Sequence, residues 1–197
     1  MPRGYTIISS TEKILLDSNA YFRLADNFYP LFSRTFGKDH VYQLFILSGT
    51  IHEYNYQARL RSKFDWVNNE RHRNDRNHCR IKLIESQKKS IKETCRFLQS
   101  DCDERKLGCS PFDIECLATA YELNMTLVTD DLDLSTLAGI YDYPVLSTLE
   151  LLKKLLSTEV IAMKEIRDCI YMWRYFNDTP SDYLTEFKKL FGEEYGD

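Results

Sequence analysis

Glycine and proline are scarce in this chain of 197 residues, at 7 and 5. Flexible or extended linkers built from them are not expected. No apolar run approaches the roughly 20 residues that span a bilayer, so no membrane partner is expected. The first residues lack the apolar stretch of a secretory signal, and no targeting segment is expected. Cys-x-x-Cys pairs are missing, and His40, His72 and His78 have no ligand-like spacing to cysteine, which disfavours zinc. The six cysteines, Cys79, Cys95, Cys102, Cys109, Cys116 and Cys169, are expected to be reduced thiols in a cytoplasmic protein. An overall excess of basic charge is missing too, since the net charge is −4.

What is present is ordinary for a globular chain, with 43% hydrophobic and 28% charged residues. The charge is unevenly placed. Residues 59–106 carry 14 Lys and Arg against 8 Asp and Glu, so the remainder of the chain is strongly acidic. A basic stretch on an acidic protein can contact phosphates, and a solvated helix face is the competing explanation.

Short apolar runs alternate with helical patterns. Ile14–Leu16 reads as a buried strand leading into a helix that carries Tyr21, Phe22 and Leu24 and ends before Pro30. Val41–Leu47 reads as a central strand covered on both faces. A helix follows from Thr50, with Thr50 and Glu53 matching a capping box. Asn68–Asn77 has no apolar period and reads as a mobile connection. Ile81, Ile84, Ile91, Cys95 and Leu98 form a narrow stripe on a solvent-facing helix. Ser110-Pro111 opens another helix. Met125–Val128 and Pro144–Leu146 read as strands, with helices at Leu134–Leu137 and Leu149–Leu156. The pattern predicts an α/β fold with a mostly parallel central sheet. Residues 158–197 read as a helical C-terminal extension, packed on the domain of residues 1–157 or forming an interface. Val160–Phe176 is apolar over much of its circumference. Ser181–Phe191 is amphipathic, with Gly192 placed to terminate it.

Four acids fall at element ends. Asp17 follows the first strand and Asp131 the third. Glu53 and Asp113 lie in first turns of helices. Strand ends and helix starts of a parallel sheet face one crevice, so Asp17, Asp131 and Glu53 are expected to converge there. Asp113 precedes its strand and is the less secure member. Each acid also has a local explanation in helix capping and the helix dipole. Those explanations leave the recurrence of carboxylates at strand ends unaccounted for. A cluster of carboxylates repels itself unless a cation is present, and hard oxygen ligands suit Mg²⁺ or Mn²⁺.

Ile14-Leu15-Leu16-Asp17-Ser18-Asn19 resembles the first motif of PIN-domain nucleases, an apolar strand ending in Asp-Ser/Thr-Asn. Glu53 resembles their helix-borne glutamate. Ser110-Pro111-Phe112-Asp113-Ile114 with Leu117-Ala118 resembles the third motif. Leu127-Val128-Thr129-Asp130-Asp131-Leu132-Asp133 resembles the fourth, in which Thr-x-Asp carries the acid. The likeness covers roughly residues 12–156 and is closest to toxin-type (VapC-like) ribonucleases. It implies a PIN-like three-layer fold and a metal-dependent endoribonuclease, as the toxin of a toxin–antitoxin pair. Asp17, Glu53, Asp113 and Asp131 would be its catalytic set. Asp17, Asp113, Asp131, Glu53 and the auxiliary Asp133 would be its ligands for Mg²⁺ or Mn²⁺. Asn19 and Thr129 would hold carboxylates or water by hydrogen bonds, or serve ordinary turns and caps. Arg59, Arg61, Lys63, Arg71 and Arg73 would contact RNA phosphates, continued by Arg76, Arg80 and Lys82. Trp66 either stacks on a base or anchors its helix in the core. His52 points away from Glu53 and reads as a surface or packing residue. The implied partners are RNA, an antitoxin protein and a second copy of the chain. A non-catalytic PIN-like RNA- or protein-binding module and a structure-specific DNA nuclease are the competing readings.

Overall fold

A computed structural model describes residues 11–37, 40–79 and 81–196. Four strands form one sheet: β1 (Glu12–Leu16), β2 (Tyr42–Phe45), β3 (Thr126–Val128) and β4 (Val145–Leu146). They run in the order β2-β1-β3-β4, and every pair is parallel. Ten α-helices lie among the described residues: α1 (Ser18–Leu24), α2 (Gly49–Tyr56), α3 (Ala58–Lys63), α4 (Glu70–Arg76), α5 (Glu85–Arg105), α6 (Pro111–Glu122), α7 (Leu132–Ile140), α8 (Thr148–Ser157), α9 (Met163–Tyr175) and α10 (Tyr183–Phe191).

The sheet is buried on both faces, as its continuous apolar strands require. Ile14, Leu16, Leu44 and Val128 belong to one core, shared with aromatic side chains of α1 and with α8 and α9. Leu15, Leu47 and Leu127 belong to another, shared with α5, α6 and α7. This alternation follows from the two-residue period of a strand, and it produces helical layers on both sides of the sheet.

The C-terminal helices join the first core. Ile166, Cys169, Ile170, Trp173 and Phe187 are buried there beside Ile14 and Leu16. Trp173 Nε1 donates to Arg23 O at 3.0 Å, fixing α9 to α1. Burial of these side chains supplies the cover that the broad apolar face of α9 needs. Gly192 adopts φ +73° after α10, the left-handed termination expected of it.

Several expectations are corrected. The Val41–Leu47 run contributes a strand over Tyr42–Phe45 only, at the edge of the sheet. Burial on both faces does not require a neighbour on both edges, and β1 and β3 occupy the centre. The connection at 68–77 is ordered as α4. There Asp75 is buried and its carboxylate accepts from the backbone N–H groups of Leu31, Phe32 and Ser33. A buried acid satisfying three loop amides replaces the missing apolar period. The α5 helix begins at Glu85, so Ile81 and Ile84 precede it, and Ile84 is exposed. Thr50 is not an N-cap: α2 starts at Gly49, no side chain caps it, and the Thr50 hydroxyl is buried without a partner among the described residues.

Candidate active site

The parallel pairing of β1 with β3 sets Leu16 beside Val128, and Asp17 N donates to Val128 O at 3.1 Å. Asp17 and Thr129 therefore leave the sheet side by side. Asp17 caps α1, accepting from Ala20 N at 2.7 Å. Thr129 is buried, and its hydroxyl does two things. Its oxygen accepts from Asp131 N at 3.0 Å, and the hydroxyl lies close enough to Asp17 to favour its carboxylate form. Asp131 in turn caps α7 through Leu134 N at 2.8 Å. Thr129 thus stands between the two strand-end acids and holds the backbone of Asp131, in the manner of an ordinary turn.

Asp17 is only 2% exposed. Burial pushes its carboxyl up to about 7, against the lowering effect of the Thr129 and Ala20 hydrogen bonds. The neighbouring Asp130 adds to the rise and Arg23 opposes it. Withdrawing a carboxylate from water without a directly bound cation favours its protonated form.

Asp113 reaches the same edge of the sheet for a topological reason. A helix joined by a short turn to a parallel strand runs against it, so the start of α6 lies at the strand C-terminal end. There Ser110 and Asp113 form a reciprocal cap, with bonds of 2.8 and 3.2 Å. Glu53 lies in α2, half-buried, and accepts from Gln57 Nε2 at 2.8 Å. The first turns of α2 and α6 meet at Gly49, where an added Cβ would lie 2.1 Å from the Phe112 ring. The Cys116 thiol reports how these acids gather around α6. It is pushed well above its ordinary range, first by burial and then by Asp17, Asp113, Glu115 and Glu53. Cys109 is pushed up to about 12 by burial, then by the Cys102 thiol, with Asp131 and Asp113 contributing. The four acids thus share one end of the sheet. Among the described residues, however, no three acidic, histidine or cysteine side chains stand close enough to share an ion.

Other expected site residues fall outside this group. Asn19 is exposed on α1, and no hydrogen bond joins it to a described group. Asp133 accepts from Gly108 N at 2.7 Å, which ties α7 to the loop before α6. Lys63 is withdrawn from the surface, with its side chain 11% exposed and paired to Asp178 at 2.8 Å. Arg71 pairs with Asp26 at 2.6 Å and lies over the Tyr29 ring. Arg76 donates to the Tyr21 hydroxyl at 2.8 Å, and Arg61 to Asn55 O. Arg59 and Arg73 are exposed and unpaired among the described residues, as Lys82 is. Arg80 lies outside the described residues. Trp66 is buried in the aromatic core, and exposed His52 packs on Tyr56.

A second charged group, not anticipated from the sequence, lies directly behind the acids. Arg23 pairs with Asp130 and, through Nε, with Asp178 at 3.3 Å. Asp130 also accepts from Thr148 N at 2.8 Å and from the Thr148 hydroxyl. The partners of Arg23 are 107 and 155 residues away in sequence, so no local signal announces them.

No protein-family model, curated protein or solved structure matches the chain. The fold and site together define a mixed α/β protein with an all-parallel sheet, carrying carboxylates along the C-terminal edge of its strands.

Proposed function

We propose that this protein is a PIN-type metal-dependent endoribonuclease with Asp17 and Asp131 at its centre. One observation carries the reading: the paired ends of the two central strands lead into Asp17 and Asp131, with buried Thr129 between them. The elements bearing Asp113 and Glu53 start at the same edge. The donor chemistry fits a hard divalent cation, because all four groups offer carboxylate oxygens. Ser18, directly after Asp17, adds a buried hydroxyl with no partner among the described residues. Asp17 and Asp131 would hold Mg²⁺ or Mn²⁺, with Asp113 and Glu53 acting on it through water. When bound, such an ion supplies an activated water and neutralises charge developing on the phosphodiester. Ala20 N and Leu134 N orient the two carboxylates, and Thr129 holds the backbone of Asp131. Exposed Arg59 and Arg73 offer sequence-independent phosphate contacts. An antitoxin and a second copy of the chain are the protein partners that go with this reading.

Incubating total RNA with the purified chain and Mn²⁺ or Mg²⁺ tests the proposal. Discrete fragments are expected that disappear with EDTA and with Asp17→Asn. Flap and single-stranded DNA run in parallel give the competing substrate its chance. Undiminished cleavage by both Asp17→Asn and Asp131→Asn proteins would overturn it.

A further inference from the structure

On the α5–α6–α7 side of the sheet, away from the acids' edge, a cavity of about 410 Å³ opens to the surface. Its floor is Leu98, Leu117 and Ala138, all buried core residues. Four aromatic rings stand around it. Phe97 and Tyr141 meet edge to face, with centroids 5.6 Å apart. Tyr121 and Tyr143 form a tilted pair at 5.7 Å. The phenols of the two C-terminal rings are already engaged, since Tyr141 donates to Asp101 at 2.9 Å and Tyr143 to Met125 O. Those bonds fix the rings while the rings line the cavity. Phe97 and Tyr121 are 59% and 55% exposed, an unusual state for two large aromatics beside one opening.

Acids, not bases, line and flank the mouth of the cavity. Glu93 lines it, and Glu122 stands beside it holding the Thr94 hydroxyl. No lysine or arginine lines it among the described residues. Lys89 lies 3.9 Å from Glu93, but both side chains are well exposed and the pair is weak. Ring faces attract cations through their quadrupole, most strongly where water is displaced. A cavity of this size takes a small molecule with an apolar body.

We propose that this cavity is a binding site for a small organic cation, an alkylated or aromatic ammonium compound. The aromatic rings supply cation–π contacts, Glu93 a counter-charge, and Leu98, Leu117 and Ala138 the apolar seat. The site is independent of the carboxylate edge, so its existence does not depend on the nuclease reading.

The test is calorimetric titration of the full chain with (3-hydroxyphenyl)trimethylammonium and with its uncharged isostere 3-tert-butylphenol. The cation should bind at least about fivefold tighter than the isostere. Tyr121→Ala and Phe97→Ala should each weaken the cation several-fold, whereas Tyr121→Phe keeps it. Glu93→Gln should weaken the cation and leave the isostere unchanged. All these side chains are exposed, so the variants should melt like the parent, and melting curves check this. Equal binding of the two probes overturns the proposal, as does no binding at about 10 mM. So does a concentration-dependent dimer abolished by Tyr121→Ala, which would make the groove a contact between copies.

Discussion

Asp17 and Asp130 stand at the ends of neighbouring strands, both nearly sealed from solvent, yet their surroundings are opposite. Asp130 has a guanidinium on it and two donors from Thr148. Its charge is answered by the protein. Asp17 accepts from a backbone amide but has no cation in contact among the described residues, and its carboxyl rises to about 7. The protein withdraws it from water and leaves its charge unanswered. On the proposed reading, the difference separates a structural acid from a chemical one. A folding device is completed by the chain itself, while a site that leaves a buried carboxylate short of a cation is poised to accept one. Asp130 and Asp131 divide the same way, adjacent in sequence but one closed in an ion pair and the other a partly exposed cap beside Thr129.

The strongest way to break this division is to neutralise each acid in turn. Asp131→Asn keeps a good capping residue, so the fold should survive. RNA cleavage should fall by about 10³-fold or more, the scale expected when charge stabilisation is lost at a phosphoryl centre. Asp130→Ala should instead unfold at lower urea, by about 3–5 kcal/mol, because it removes the closer carboxylate from buried Arg23 and leaves the Thr148 donors unpaired. If the two variants exchange phenotypes, the assignment is wrong.

The pH dependence sharpens the comparison, with a somewhat smaller effect. The folded Asp17 carboxyl lies at about 7, against an ordinary value of 3.8. Between those values the unfolded chain releases a proton that the folded chain keeps. Stability is therefore full below about 4 and is lost as pH rises toward 7, at most on the order of 4 kcal/mol. Asp17→Asn, which keeps the cap, should match the parent at pH 4 and melt higher at pH 8. Millimolar Mn²⁺ should raise the melting temperature of the parent at pH 8 and leave Asp17→Asn unmoved. Thermal melts across pH 4–8, with and without Mn²⁺, check both statements.

The strand ends were legible in the sequence because their signal is local. An apolar run stopping at Asp17 or at Thr129-Asp130-Asp131 is visible within seven residues, and so is the cap at Ser110–Asp113. Even the doubtful placement of Asp113 is resolved by topology, since α6 must run back along β3. What stayed hidden was whatever depends on distant partners. Arg23 resembles any polar helix residue until Asp130 and Asp178 are folded onto it. Asp75 reads as part of a polar loop until the amides of 31–33 converge on its carboxylate. Lys63 reads as a surface base, but Asp178 from the far end of the chain holds it. The edge position of β2 was misread because hydrophobicity reports burial and carries no information about which strand lies alongside.

Lys63 and Arg73 extend the same contrast to the cations, with the smallest expected effects. Lys63 is answered by Asp178, whereas Arg73 projects from α4 with no partner among the described residues. A free cation contacting phosphate releases about one counterion on binding. Arg73→Ala should therefore weaken RNA binding a few-fold, lower the slope of log affinity against log salt by roughly one, and leave the melting temperature unchanged. Lys63→Ala should do the reverse, costing roughly 1 kcal/mol of stability from a mostly covered pair while the salt slope stays put. Filter binding at several salt concentrations, on protein loaded with Ca²⁺ in place of Mn²⁺ to suppress cutting, measures the slope. A slope that drops for Lys63→Ala would mean that the Asp178 pair opens on RNA, placing α3 on the substrate path after all.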